Sequence, residues 1–323
     1  MIWAGVDGGA TKTLAVVVSE KREIGVGISG PSNYHDVGLE KAVANLREAL
    51  DQALSQIGGK MPVTSACYGL AGLDSPSDFT VVEEAITKVK LADKNFVVHD
   101  SVIAIYGATG GNKGIIVIAG TGSVAAGLDD KGNYIRVGGW GPLLGDEGSA
   151  YMIGREALAH ALKAYDGRGE KTSLLDRIIE KYNLKQVEEI IDIFYRKGVS
   201  VTEVASLAKI VSEEALKGDK VAKMILEKAA KEIALHIVAV YKRLGFREKI
   251  DVALIGGVFR AGELILSPLK KYLAEKSIEV NLIKPKYPPA IGALIIAIKN
   301  TAPEFLSAEI LEEANKAVER YYG

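Results

Sequence analysis

The chain has 323 residues, of which 48% are hydrophobic and 25% are charged, a composition that is typical of a globular protein and excludes a disordered one. Its 40 basic and 41 acidic side chains leave a formal net charge of -1, so the basic excess of nucleic-acid-binding proteins is missing. The single cysteine, Cys67, excludes an internal disulfide and a metal site made of cysteines alone.

The first third of the chain is predicted to alternate strands and helices. Short β-branched segments separated by turns predict a meander of three strands, and apolar residues at helical spacing from 39 to 57 predict the first long helix. A further helix begins after the strand that ends at His99, with Asp100 or Ser101 as its cap. The predicted strands are 2–6, 14–19, 24–29, 63–68 and 96–99, and a second helix is 78–91.

The pattern starts again after a strong turn signal at 110–113. Strands are predicted at 114–119, 123–128, 134–137 and 251–255, and helices at 262–275, 289–299 and 308–321. The region 147–244 is mostly helical, and its longest helix is 221–243. We therefore predict a first lobe of residues 1–111 and a second lobe of residues 112–302 that helices enlarge, with the last helix (about 303–323) able to return to the first lobe.

A strand, a glycine turn and a second strand occur twice, which indicates two similar lobes with a cleft. Glycine lets backbone N–H groups approach a polyphosphate, and one carboxylate at a strand end can serve Mg²⁺. Each turn alone is more typical of a plain hairpin, but the two together with a third glycine pair favour nucleotide binding. The sequence is not a P-loop, because a strand continues where a P-loop would begin a helix. The turns are Asp7-Gly8-Gly9-Ala10-Thr11, Gly120-Thr121-Gly122-Ser123 and Gly256-Gly257.

These motifs resemble the N-acetylglucosamine kinase and archaeal hexokinase group of actin-like sugar kinases, of the BadF/BadG/BcrA/BcrD ATPase type. The resemblance covers nearly the whole chain and is most specific in Gly-Trp-Gly at 139–141 and Gly-Asp-Glu-Gly-Ser-Ala at 145–150. It implies an α/β fold of two actin-like (ribonuclease H-like) lobes with a central cleft. It also implies ATP and Mg²⁺ as cofactors, a hexose or amino sugar as the small-molecule substrate, phosphorylation of the sugar 6-hydroxyl, and a homodimer.

The resemblance also implies roles for individual residues. Asp100 matches the catalytic base, which accepts the proton of the attacking hydroxyl. Independently of the resemblance, the position of Asp7 at a strand end predicts that it serves Mg²⁺ through water. The expected sugar-binding residues are Asn33, Asp100, Gly139, Trp140, Gly141 and Asp146. The expected ATP-binding residues are Gly8, Gly9, Thr11, Lys12, Thr121, Gly122, Ser123, Ala205, Gly256, Gly257 and Ala261.

Several of these residues also have a purely structural interpretation. Asp100 alone would be read as a helix N-cap, and Asn33 as a residue that stabilises a turn. Trp140 is explained equally well by a place in the core and by contact with the sugar ring. Glu147 stays open between capping the next helix and supporting Asp146.

The same fold is also compatible with two functions other than that of a sugar kinase. An activator-type ATPase would hold an iron–sulfur cluster with two cysteines from each subunit, and Cys67 is the only cysteine. The presence of Asp7, Thr11, Asp100 and Thr121 argues against a sugar-sensing protein without turnover, because such a protein would not need the base. Because no export signal and no bilayer-length apolar run is seen, we expect a cytoplasmic protein without a membrane or nucleic-acid partner.

Overall fold

The computed structural model describes residues 1–321 and divides the chain into two compact units. The first unit comprises Met1–Gly114, Leu128–Gly132 and the described chain from Lys284 onward, and the second comprises Ile115–Gly127 and Asn133–Ile283. Each unit contains a five-stranded sheet with helices packed on it. The prediction of an α/β fold of two lobes, the second enlarged by helices, is confirmed.

The helices and strands follow the predicted order closely. The elements of the first part of the chain are β1 (Ile2–Gly8), β2 (Thr13–Ser19), β3 (Ile24–Ser29), α1 (Tyr34–Val37), α2 (Leu39–Ser55), β4 (Val63–Leu70), α3 (Pro76–Val89), β5 (Ala92–His99) and α4 (Asp100–Thr109). Those of the second part are β6 (Gly114–Ala119), β7 (Ser123–Leu128), β8 (Tyr134–Gly138), α5 (Ala150–Tyr165), α6 (Leu174–Tyr182), α7 (Val201–Leu216), α8 (Lys220–Arg243), β9 (Ile250–Ile255), α9 (Glu263–Glu275), β10 (Val280–Ile283), α10 (Pro289–Lys299) and α11 (Ala308–Glu319). Short 3-10 helices lie at Val187–Glu189, Gly257–Ala261 and Pro303–Phe305, and a π-helix at Asp192–Gly198.

The sheet of the first unit has the strand order β3-β2-β1-β4-β5 and is covered on both faces. β1 pairs antiparallel with β2 and parallel with β4, and β4 pairs parallel with β5. Successive side chains of a strand point to opposite faces, so Ala4 packs in the core that contains α2 while Trp3 packs in the core that contains α10 and α11. This sandwich explains why β1 and β2 read as continuous apolar runs.

The predicted second lobe extends to residue 302 and would include helix α10. In the structure, α10 belongs instead to the first unit, where it packs so closely on β1 that a Cβ atom at Gly5 would lie 2.3 Å from the Leu294 nitrogen. Residues 290–298 of α10 are all buried, as expected for a helix between two layers. Helix α11 also lies in the first unit, as the sequence allowed, and residues 322 and 323 of its predicted range are outside the described residues.

The sheet of the second unit has the order β10-β9-β6-β7-β8, and β6, β9 and β10 run parallel. Its largest core joins these strands to α5, α7, α8 and α9. The predicted helical region is confirmed, with α8 as its longest helix. The sequence analysis did not predict the short edge strand β10, because the strand has only four residues and none of them is fully buried. No helix among residues 1–321 is long and apolar enough to cross a membrane.

Candidate functional site

The first glycine turn joins β1 and β2 in the first unit. Gly8 pairs with Thr13, and the Gly9 amide closes the turn by donating to the Lys12 carbonyl at 3.0 Å. A Cβ atom at Gly8 would lie 2.3 Å from the Oγ of Ser32, whose amide donates to the Gly9 carbonyl at 3.0 Å. Only glycine fits at position 8, because a Cβ atom there would collide with the Ser32 side chain. The buried Ser32 also stabilises the turn through its backbone hydrogen bond to Gly9.

Three further predicted residues surround this turn. Asp7 is half-buried in β1, directly before the turn, and Thr11 is exposed at its tip. The Lys12 ammonium donates to the Tyr321 carbonyl at 3.3 Å, so the end of the described chain reaches this edge of the first unit. One carboxylate at the strand end, with phosphate and water oxygens, is the donor set that Mg²⁺ usually takes in proteins. Asp7 therefore fits the predicted magnesium position.

Asn33 lies against the loop that follows β4. Its side chain accepts the His35 amide at 3.2 Å and thereby caps α1, so the interpretation as a turn residue is correct in part. Gly72 has a φ of 81°, and a Cβ atom there would lie 2.4 Å from the Asn33 Oδ1. The His35 Nε2 lies 3.1 Å from the Gly72 carbonyl oxygen. The loop and the Asn33 segment therefore pack as one piece.

A carboxylate at the start of α3 anchors this segment. The Tyr34 hydroxyl donates to Asp78 Oδ1 at 2.5 Å, and the Ser75 amide donates to Asp78 Oδ2 at 2.7 Å in a capping box. The hydrogen bond from Tyr34 and then those from Ser75 lower the pKa of Asp78 to about 2. Asp78 is therefore ionised at neutral pH and holds the segment next to Asn33 in place.

Asp100 is the first residue of α4 and does not cap it. The cap is His99, whose Nδ1 lies 3.2 Å from the Ser101 amide, so the prediction that Asp100 or Ser101 caps the helix is wrong. The Asp100 side chain is 43% exposed, and its Oδ1 lies 2.8 Å from His99 Nδ1. A ring nitrogen accepts the amide that a carboxylate would otherwise bind, which leaves the Asp100 carboxylate available for chemistry.

The register of the first sheet sets the glycine turn and Asp100 at one edge. Gly8 pairs with Leu70 on β4, and Leu70 pairs with His99 on β5, so these three residues form one row across three strands. With neighbouring strands about 4.8 Å apart, the Gly8 and His99 backbones lie about 10 Å apart. The carboxyl ends of parallel strands are where open α/β sheets bind ligands. This edge holds the predicted phosphate turn and the predicted base side by side.

The second glycine turn joins β6 and β7 in the second unit and rests on the start of α5. The Gly120 amide donates to the Gly122 carbonyl at 2.9 Å. The Gly120 and Thr121 carbonyls accept the Ala150 and Tyr151 amides at 2.8 and 3.3 Å, which are N–H groups of the first turn of α5. The backbone carbonyls of the turn are thus used internally, while the Thr121 side chain is exposed.

Asp146 lies beside this turn. Its backbone has a φ of 60°, and a Cβ atom at Gly122 would lie 2.7 Å from the Asp146 Oδ2, so the two residues are packed together and Asp146 is buried. The Ser123 hydroxyl donates to the Glu147 carbonyl at 2.7 Å. The structure therefore brings a predicted sugar residue into contact with the predicted phosphate turn.

The Gly-Trp-Gly segment is an open loop. Gly139 and Gly141 have φ values of 71° and 83°, which favour glycine, and Trp140 is 69% exposed. The core interpretation of Trp140 is therefore wrong. Arg136 supports the loop, because its Nη2 donates to the Gly139 carbonyl at 2.7 Å and its Cζ lies 5.6 Å from the centre of the Trp140 ring.

Glu147 faces a buried histidine and does not cap α5. The cap is Ser149, whose Oγ accepts the Met152 amide at 3.2 Å. Glu147 Oε2 lies 4.0 Å from Nε2 of His236 on α8, and a Cβ atom at Gly138 would lie 2.5 Å from the same nitrogen. Burial lowers the pKa of His236, against a smaller opposing effect of Glu147. The capping interpretation of Glu147 is therefore wrong, and its carboxylate faces the helix beneath the Gly-Trp-Gly loop.

The third glycine turn lies beside the second. Gly256 has a φ of 112°, and a Cβ atom there would lie 2.3 Å from the Ala119 carbonyl at the end of β6. The 3-10 helix Gly257–Ala261 follows and packs against α7, which carries the buried Ala205. The predicted nucleoside residues are thus gathered in the second unit, around the ends of β6 and β9.

The sequence analysis did not identify three residues that support these loops. They are Ser32, which packs against Gly8, Arg136, which binds the Gly-Trp-Gly loop, and His99, which caps α4. A histidine between a strand end and a helix start was a usable signal for His99. No local pattern in the sequence indicates the contacts of Ser32 and Arg136, because these contacts depend on how separate segments of the chain pack. Among residues 1–321, no three or more His, Cys, Asp or Glu side chains form a cluster that could hold a metal ion.

The chain is similar to known proteins over most of its length. The sequence model of the BadF/BadG/BcrA/BcrD ATPase family matches residues 4–297. The chain is 37% identical over 296 residues to the N-acetylmuramic acid/N-acetylglucosamine kinase of Clostridium acetobutylicum, covering 91% of this chain and 97% of that protein. It is 33% identical over 313 residues to the N-acetyl-D-glucosamine kinase of Dictyostelium discoideum, covering 93% and 98%.

A solved structure shows the same fold. A protein of Chromobacterium violaceum, proposed to be an N-acetylglucosamine kinase, superposes with a TM-score of 0.64 at 25% identity, covering 91% of this chain and 98% of that one. The similarity in sequence and the similarity in structure both extend over most of the chain. The chain belongs to the BadF/BadG/BcrA/BcrD ATPase family.

Proposed function

We propose that this protein is an ATP-dependent sugar kinase that transfers the γ-phosphate to the 6-hydroxyl of N-acetylglucosamine, glucose or a related hexose. Membership of an ATPase family supports ATP as the donor. The two curated relatives, both kinases of N-acetylated sugars by name, support an amino sugar as the acceptor. The observation that supports the proposal is the row Gly8–Leu70–His99 across three strands, because the turn that we propose to bind phosphate and Asp100 both follow this row at one sheet edge.

In the proposed reaction, the phosphates are bound by backbone amides at the tip of the first glycine turn and by the hydroxyls of Thr11 and Thr121. Mg²⁺, which Asp7 would hold through water, neutralises phosphate charge when it is bound. Asp100 accepts the proton of the sugar hydroxyl while the oxygen–phosphorus bond forms and ADP leaves. Because phosphoryl transfer needs alignment more than covalent chemistry, the base contributes about 10²- to 10⁴-fold to the rate.

The sugar is proposed to be held by the polar groups around Asn33 and Asp146. The amide of Asn33 and the carboxylate of Asp146 offer hydrogen bonds to hydroxyl groups, and the backbone of Gly139 and Gly141 adds further donors. The exposed indole of Trp140 offers an apolar face to the ring. Ala205, Gly257 and Ala261 would enclose the nucleoside by backbone and shape, since none of them has a polar side chain.

Cys67 weighs against the activator-type ATPase. It lies in β4, fully buried in the core of the first unit, and burial raises the pKa of its thiol. A thiolate ligand for an iron–sulfur cluster needs the opposite conditions, exposure and a lowered pKa. The chain has no second cysteine with which to complete a pair.

A coupled assay of sugar-dependent ADP release tests the proposal. The panel comprises N-acetylglucosamine, N-acetylmuramic acid, glucosamine, glucose and mannose, and kcat/KM is measured for each sugar. We expect ADP release above the sugar-free rate with at least one of them, and a product phosphorylated at the 6-hydroxyl. ADP release that no sugar increases would contradict the proposal and favour a sensing protein without turnover.

The proposal extends to a homodimer in the cytoplasm, as the resemblance to sugar kinases implies. Sedimentation equilibrium of the full chain tests the dimer. A mass near twice the 34.4 kDa of the chain is expected, and a mass near 34.4 kDa at micromolar concentration would contradict it.

A further inference from the structure

Trp140 is an exposed side chain on a loop whose backbone is held on both sides. Before it, a Cβ atom at Gly139 would lie 3.0 Å from the Val124 side chain on β7. After it, the Gly145 amide donates to the Gly141 carbonyl at 2.8 Å, and a Cβ atom at Gly145 would lie 3.0 Å from the Trp140 Cβ. The backbone is therefore fixed, whereas the indole is 69% exposed and burial does not set its orientation.

Arg136 on β8 contacts both the backbone and the ring of this loop. Its Nη2 donates to the Gly139 carbonyl at 2.7 Å, and its Cζ lies 5.6 Å from the centre of the Trp140 ring. That distance is within the range in which a cation is attracted to an aromatic ring. The planar guanidinium can make both contacts at once, whereas the ammonium of a lysine is a single point charge. Arg136 therefore restricts the orientation of an otherwise exposed indole.

We propose that Arg136 is a positioning residue for sugar binding, which holds the indole of Trp140 in the orientation that the sugar ring meets. An exposed side chain samples several rotamers, and a ligand that selects one of them loses affinity by the cost of ordering it. Arg136 removes part of this cost before the sugar binds. The inference rests on the proposed kinase function and adds a residue that acts on the sugar through Trp140.

The role concerns affinity for the sugar and not the chemical step. In the proposed site, Trp140 contacts the sugar ring and not the transferred phosphate, so its contact is equally strong before and during phosphoryl transfer. Losing an interaction of this kind raises KM and leaves kcat unchanged. The KM for ATP should also stay the same, because other loops are proposed to bind the nucleotide.

Two substitutions test the contacts of Arg136. Arg136→Lys retains the positive charge but loses the planar fork, and Arg136→Met loses both the charge and the donors. We expect each to raise the KM for N-acetylglucosamine about 5- to 30-fold, the effect of one lost hydrogen bond and one lost cation–π contact. We expect kcat and the KM for ATP to change less than about twofold. Arg155→Lys, at an exposed arginine of α5, is the matched control with an unchanged sugar KM.

Tryptophan fluorescence provides a second readout, which requires no turnover. The chain has two tryptophans, and Trp3 is fully buried in the core of the first unit, so quenching by acrylamide reports mainly on Trp140. We expect N-acetylglucosamine to protect Trp140 from acrylamide. We expect Arg136→Lys to need about 5- to 30-fold more sugar for the same protection.

A double substitution tests whether Arg136 acts through Trp140. In the Trp140→Ala background, we expect Arg136→Lys to raise the sugar KM less than about twofold, because the side chain that it positions is gone. Three results would overturn the inference: an unchanged sugar KM in both Arg136 variants, a parallel rise in the KM values for sugar and ATP, or a full rise in the Trp140→Ala background. Failure of the kinase function itself is recognised separately, because the unaltered protein would then show no sugar-dependent ADP release, while the fluorescence titration still measures sugar binding.

Discussion

Asp100 and Asn33 show how differently two helix-start residues are used. Asp100 opens α4, but His99 supplies the cap, so a change at Asp100 leaves the helix start intact. Asn33 does cap α1 and also lies against Gly72, so a change there disturbs the loop as well as any sugar contact. Asp100 is therefore the cleaner position at which to test the chemistry.

We expect Asp100→Asn to lower kcat about 10²- to 10⁴-fold, because the amide cannot accept the hydroxyl proton. The sugar dissociation constant from calorimetry should stay close to that of the unaltered protein, since the amide still offers hydrogen bonds. Asp93→Asn is the matched control, an exposed aspartate on β5 in which we expect unchanged turnover. A near-normal kcat in Asp100→Asn would remove Asp100 from the proposed mechanism.

Gly256 is the glycine of the third turn for which both space and backbone conformation forbid a side chain. We expect Gly256→Ala to lower the free energy of unfolding by about 1–3 kcal/mol, because φ is 112° and the added Cβ meets the Ala119 carbonyl at 2.3 Å. Gly257→Ala serves as the control for stability, since nothing lies within 4 Å of its Cβ position. Equal thermal midpoints for the two variants would contradict the argument.

At the scale of elements, α6 and α7 of the second unit are joined by a buried carboxylate. Glu214 of α7 is 5% exposed, and it accepts hydrogen bonds from Arg177 at 2.5 Å, Ser173 at 2.6 Å and Lys217 at 2.8 Å. The hydrogen bonds from Lys217 and Ser173, and also that from Arg177, lower the pKa of Glu214 to about 2. Glu214 therefore stabilises the helical part of this unit in its ionised form.

We expect Glu214→Gln to lower the free energy of unfolding by about 1–3 kcal/mol at pH 7, as expected when a charged acceptor is lost from a buried network. A carboxylate with a lowered pKa stabilises the fold fully above its ordinary pKa near 4.5, and this stabilisation is lost as the pH falls towards about 2. Urea unfolding should therefore give a difference between the two proteins that is constant from pH 7 to 5 and shrinks below.

Glu213→Gln is the control for this experiment. Glu213 is 37% exposed and contacts Arg177 at 2.9 Å from the rim of the same cluster, so its loss should cost much less. Equal free energies of unfolding for the two variants at pH 7 would contradict the conclusion that the buried Glu214 stabilises the fold more than the partly exposed Glu213.

At the scale of the whole molecule, the proposed reaction depends on magnesium and not on iron. We expect EDTA to abolish sugar-dependent ADP release and added Mg²⁺ to restore it, because a bound cation offsets the phosphate charge in the transition state. An iron chelator should have no effect, and Cys67→Ala should keep its turnover, since Cys67 is buried in the core of the first unit. Loss of turnover with the iron chelator would instead favour the activator-type function.

The order of elements and the three glycine turns were accessible from the sequence, because strand and helix periods and glycine turns are local patterns of a few residues. For the same reason β1, β2, β3, α2 and α8 were predicted within about two residues of their observed ends, a usual margin for element boundaries. The motifs also placed Asp7, Asp100 and Thr121 at strand ends.

Contacts between distant parts of the chain decided features that local sequence patterns do not contain. The apolar run of α10 predicts a buried helix, but it does not predict the sheet on which the helix packs. That choice depends on the contact between Gly5 and Leu294, which lie far apart in the chain. The contact of Arg136 with the Gly-Trp-Gly loop and the exposure of Trp140 likewise follow only from packing. The sequence by itself determined the elements and the candidate chemistry, whereas long-range contacts determined which groups meet.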